Sequence, residues 1–144
     1  MIALLILLVL PVINPAVTPG LTRPEITKSI ACTTRWGLDR RLVTEKMKRT
    51  VAESYGLKRS QVVGQSRGPC CEFDHLIPRS LGGADDIRNL WPQPWKEAKR
   101  KDVLEVKLGR LVCAGTISLV DAQHAIATDW TKAYRQYVIK KDPK

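Results

Sequence analysis

The sequence predicts an α+β fold, with two short antiparallel strands and a helix flanked by additional helices. Three observations predict it. Cys71 to Ile77 has strand composition and stops at Pro78. Gly82-Gly83 with Asp85-Asp86 must reverse the chain into a second short strand, Asn89 to Trp91, closed by Pro92 and Pro94. From about Lys96 to Val112, Leu104, Leu108 and Leu111 recur at helical spacing, and Gly115 sits where a helix stop belongs.

Residues 1–20 differ from the rest. Ile2 to Ile13 is almost wholly apolar, and no charged side chain precedes Arg23. The run is shorter than the roughly 20 residues of a membrane span, and Pro11 interrupts it. It reads as a signal peptide, with small residues for a peptidase in Asn14-Pro15-Ala16-Val17, although a basic leading segment is missing. The expected location is therefore periplasmic or secreted, with no stable membrane insertion once the leader is removed. A membrane-tethered tail and a misplaced start codon are the alternatives. A lipoprotein reading at Cys32 fails, because Arg23, Glu25 and Lys28 separate it from the apolar run.

The remainder, 21–144, suffices for one compact domain. Residues 21–43 read as extended or irregular, given Pro24 and Thr33-Thr34. A first helix is expected from an N-cap at Thr44 to Tyr55, with Met47, Val51, Ala52 and Tyr55 on one face and Gly56 as stop. Residues 57–69 read as a loop with Gly64 and Gly68. Ser118 and Asp121 open a last helix whose Ala122, Ile126, Trp130, Ala133, Tyr134 and Tyr137 share a face. The tail from Lys140 to Lys144 reads as frayed.

Lysine and arginine number 24 against 14 acidic residues, a net charge of +10. That balance favours a polyanionic partner through counterion release and long-range attraction. Nucleic acid, anionic lipid and cell-wall polymer all fit it. The cysteines Cys32, Cys70, Cys71 and Cys113 suggest two disulfides in an exported chain. Adjacent Cys70 and Cys71 are awkward to join, so each is expected to pair with Cys32 or Cys113. A zinc site is the rival, but no Cys-x2-Cys pair occurs.

The most informative stretch is Glu72-Phe73-Asp74-His75-Leu76-Ile77-Pro78, followed by the glycine turn and by Arg88-Asn89-Leu90-Trp91-Pro92. This ordered pattern resembles the core of HNH endonucleases, over about residues 70–105. The resemblance implies a ββα-metal core, about 70–113, that hydrolyses phosphodiester bonds with one divalent ion, Mg2+ or Mn2+. It implies His75 as general base, Asp74 as metal ligand and Asn89 as the residue that orients the histidine across the strands. Histidine suits the base because it is free near neutral pH, and a hard cation suits an oxygen ligand. In an ideal strand Asp74 and His75 face opposite ways, so they share a site only where the strand bends, as Pro78 and the glycines permit.

The helix that follows departs from the family pattern. It carries no histidine or asparagine as second ligand in Trp95-Lys96-Glu97-Ala98-Lys99-Arg100-Lys101-Asp102. Glu97 is the first substitute, Asp102 the next, and no second protein ligand the third possibility. Lys96, Lys99, Arg100 and Lys101, with Arg79 and Arg88, are candidates for contacting phosphates, DNA more than RNA. A solvated helix face is the alternative for the helical four. The resulting expectation is a metal-dependent endonuclease of low sequence specificity. The alternative is a non-catalytic basic module that binds nucleic acid or the envelope on a degenerate HNH scaffold.

Overall fold

The computed structural model describes residues 10–62 and 70–140. It has the expected α+β architecture, a two-stranded antiparallel sheet packed against helices. The strands are β1 (Cys71–His75) and β2 (Leu90–Pro94). The helices are α1 (Lys28–Thr33), α2 (Glu45–Ser54), α3 (Trp95–Cys113) and α4 (Leu119–Tyr134).

Prolines do not close β2 as expected; the strand runs through Pro92 and Pro94. The pairing explains it. Leu76 N–H donates to the Asn89 carbonyl and Trp95 N–H to the Cys70 carbonyl. Phe73–Pro92 and Cys71–Pro94 are therefore non-hydrogen-bonded pairs, and both proline nitrogens point away from β1. At a free edge no ladder bond is lost.

A second correction concerns residues 21–43, which include α1. The Thr27 side chain caps it by accepting from the Ile30 N–H, and Trp36 Nε1 donates to the Ala31 carbonyl. Six residues give too short a periodic signal to read. Tertiary anchoring holds the turn, since Cys32 is joined to Cys113 at the end of α3. That pairing also corrects the expectation that Cys70 and Cys71 each reach one of those two. The sulfurs of Cys70 and Cys71 instead lie against each other, buried at the start of β1.

Thr44 caps α2 as expected, accepting from the Met47 N–H, and Ser118 caps α4 by accepting from the Asp121 N–H. Two cores result. Val51 and Ala52 of α2 pack with Val62, Cys70, Cys71, Phe73 and Leu90. Ile77 and Leu81, just beyond β1, join Leu104, Leu108 and Val112 of α3 and Ala122, Ile126, Trp130 and Ala133 of α4. The end of β1 lies where the two meet.

Residues before 21 also pack onto the strands and helices. Thr18 is 0% exposed, its hydroxyl bonded to the Leu90 carbonyl and to the Tyr55 hydroxyl. Gly20 N–H donates to the Arg88 carbonyl, and Leu10 and Ile13 pack against the two cores. Residues 1–9, most of the apolar run, lie outside the described residues, as do 63–69 of the expected loop and the last four of the tail. Among the described residues no helix is long and apolar enough to cross a membrane.

Candidate active site

The end of β1 opens into a cleft of about 260 Å³ lined by Asp74, His75, Arg41, Asp39, Arg79 and Glu105, among others. Asp74 and His75 leave the strand on opposite faces, yet both border this space. His75 is only 7% exposed, and its Nε2 lies 2.7 Å from Asp85 Oδ1. Burial lowers its pKa and outweighs the pull of Asp85, with Arg41 adding to the fall. The contact is therefore a hydrogen bond to a neutral imidazole at pH 7, although its geometry is that of an ion pair. Nε2–H donates to the carboxylate, which leaves the lone pair on Nδ1. A neutral imidazole oriented by a carboxylate is the arrangement general-base chemistry needs.

Asp85 is itself fixed. Burial opposes its charge, but the Leu42 N–H at 2.7 Å, His75 and Arg79 together keep its pKa below the usual value. Asn89 makes the hydrogen bonds across the strands that were expected of it, but to backbone beyond His75 rather than to the imidazole. Asn89 is buried and clamps the backbone just past His75: its Oδ1 accepts from the Ile77 N–H at 3.0 Å. Its Nδ2 donates to the Ile77 and Ala84 carbonyls at 2.9 and 3.1 Å. Asn89 shapes the strand exit, and Asp85 orients the ring. Nothing in the sequence separates Asp85 from an ordinary turn aspartate.

Across β1, Lys101 of α3 is 0% exposed. Its Nζ donates to Asp74 Oδ2 at 2.7 Å, to the His75 carbonyl at 2.7 Å and to Glu105 Oε1 at 2.6 Å. All three ammonium protons are satisfied. Burial works against the charge, but Asp74 and Glu105 prevail and raise the pKa, so the ammonium persists. Removing one member of such a buried pair typically costs about 3–5 kcal/mol. Glu72 and Asp102 add to the negative charge around it. Burial, with Asp74 and Asp102 nearby, pushes the Glu72 carboxyl up to about 7. Burial pushes Glu105 up to about 7 as well, against Lys101 and with help from Asp74.

Two expectations fail here. Lys101 does not belong to the exposed helix face with Lys96, Lys99 and Arg100; it lies on the buried stripe with Ala98, Leu104, Leu108 and Val112. That i, i+3, i+6 placement was the signal that could have found it. The expected metal ligands are not brought together either. One Asp74 oxygen is bound to the Lys101 ammonium, and Glu97 lines a separate cleft with Trp91, Ala127 and Trp130. Asp102 is close enough for Asp74 to raise its pKa, after burial. Even so, among the described residues no group of three or more histidine, cysteine, aspartate or glutamate side chains can hold a metal ion. A cation already occupies the acidic nest, so these side chains do not fit the one-metal site.

The remaining cations divide by place. Lys96, Lys99 and Arg100 are exposed on α3, with Arg100 stacked 4.9 Å from the Tyr134 ring. Arg88 is exposed and forked onto Asp86 at 2.9 and 3.0 Å. Arg79 lines the His75 cleft, held by Asp39 and the Arg40 carbonyl. Arg41, which sequence reasoning did not single out, borders the same cleft and donates to the Phe73 carbonyl at 3.1 Å. No motif marks it, since it lies 34 positions before His75 in an irregular segment. Compared with known proteins, the chain matches no family model, no curated protein and no solved structure.

Proposed function

We propose that this chain is an endonuclease that hydrolyses phosphodiester bonds of nucleic acid, DNA with little sequence preference, from a ββα-type core. The observation that carries the reading is a buried His75, hydrogen-bonded to Asp85, in a cleft flanked by Arg41 and Arg79 on a strongly basic chain. His75 takes a proton from water as the water attacks phosphorus. Asp85 stabilises the imidazolium that forms, and Asn89 fixes the strand exit on which both depend. Lys96, Lys99 and Arg100 supply an exposed basic face for phosphates away from the scissile bond. No step is assigned to a divalent ion, because the expected Asp74–Glu97 pair is not assembled.

Export to an oxidising compartment belongs to the same reading. The Cys32–Cys113 bond supports it, since disulfides persist there and are rare in the cytosol.

The test is nicking of supercoiled plasmid by the purified oxidised protein, with His75→Ala in parallel. Loss of the base is expected to slow cutting by about 10²–10⁴-fold. A mutant as fast as its parent refutes the assignment. A second reading, a basic module that binds nucleic acid without cutting it, draws on the ammonium seated against Asp74. It predicts a salt-sensitive gel shift of intact plasmid.

A further inference from the structure

We propose that Arg41 is a catalytic residue that binds the scissile phosphate beside His75, and that this cleft cuts without a divalent ion. The inference rests on the phosphodiesterase reading above and deepens it.

Three observations lead there. The acidic side chain nearest His75 in the strand, Asp74, is already matched to the ammonium of Lys101, which is fully enclosed and cannot reach a substrate. A divalent ion at Asp74 would have to displace that ammonium or sit against it. The positive charge free to face a phosphate is elsewhere. Arg41 is exposed, borders the cleft, and bonds through Nη2 to a backbone carbonyl of β1 two residues before His75. Among the described residues it forms no ion pair with a carboxylate, whereas Arg79 is held by Asp39 and approaches Asp85. Arg41 is thus anchored at one nitrogen and keeps the rest of its fork for a ligand.

Arginine can do the electrostatic part of a metal's work. A guanidinium pairs two non-bridging phosphate oxygens and stabilises the charge that grows on them in the transition state. In the step proposed, a bond forms between the water oxygen and phosphorus while the bond from phosphorus to the bridging oxygen breaks. His75 receives the proton from water, and the departing alkoxide takes one from solvent. No oxidant or further reactant enters.

The experiment is plasmid nicking by protein stripped with EDTA, with and without added Mg2+ or Mn2+, for the parent, Arg41→Ala, Arg41→Lys and His75→Ala. The parent is expected to cut in EDTA at a rate within about twofold of that in Mg2+. Arg41→Ala is expected to lose about 10²–10³-fold, the usual effect of removing a transition-state donor. Free guanidinium should restore part of that loss, and Arg41→Lys should not. Circular dichroism should be unchanged, because the side chain is exposed. Cutting that EDTA abolishes and Mg2+ restores overturns the metal-free inference but leaves the nuclease reading standing. An Arg41→Ala protein as active as its parent in EDTA overturns the role of Arg41. Absence of cutting under every condition overturns the inference and the reading together.

Discussion

His75 and Glu72 lie three residues apart and respond to pH in opposite senses. His75 has a lowered pKa, so the unfolded chain takes up its proton first, and stability falls as pH drops below the ordinary histidine value. Glu72 is the reverse. Its pKa rises from 4.5 to about 7, so its contribution is fully present below 4.5 and is lost as pH rises through 7. The loss arises because the ionised carboxylate is half-buried beside Asp74 and Asp102. Glu72→Gln keeps the shape and removes the titration. Urea unfolding of mutant and parent should show the mutant gaining relative stability between pH 5 and pH 8. A constant difference across that range would mean that Glu72 titrates normally.

At the level of elements, the exit of β1 is built from one close approach. Gly83 N–H donates to the Pro78 carbonyl, and the backbone passes so near Ile77 that a Cβ on Gly83 would lie 1.8 Å from the Ile77 carbonyl oxygen. It would also lie 2.9 Å from Asn89 Nδ2. The glycine therefore does more than turn the chain: it lets Asn89 clamp Ile77 and brings Asp85 back to His75. Gly83→Ala should destabilise the domain by about 1–3 kcal/mol, as overpacking does. It should also weaken the hydrogen bond between Asp85 and His75. Thermal unfolding together with plasmid nicking would check both, and an unchanged melting temperature would contradict the packing argument. On the other side of β1, α3 fixes the strand by presenting Lys101 in the middle of an otherwise apolar stripe.

Across the whole molecule, α1 is tied to the far end of α3 by a disulfide spanning 81 residues. The loop contains both strands, α2 and nearly all of α3, so the bond restricts most of the unfolded chain. Chain-entropy reasoning assigns such a loop about 4–5 kcal/mol. Replacing Cys32 and Cys113 with serine should lower stability by roughly that amount, measured by denaturant unfolding, and reduction should mimic it. A loss well under 1 kcal/mol would show that packing of α1 on α3 suffices alone. If the nuclease reading holds, the oxidised form is the one that cuts.

By itself the sequence determined the order strand, reversal, strand, helix, and the caps at Thr44 and Ser118. Those follow from local signals: strand composition, helical spacing, capping side chains and a double glycine, each acting over a few residues. Tertiary structure alone decided that Asp85 orients His75 and that Asn89 clamps backbone. It likewise enclosed Lys101, separated Glu97 from Asp74, brought Arg41 into the cleft, and folded residues 14–20 onto β2 and Tyr55. Each of these depends on which side chains meet across 10 or more positions, as His75 and Asp85 do, and composition says nothing about such meetings. Lys101 shows the limit most plainly, since a lysine among lysines reads as a wet surface until a strand with an aspartate packs over it.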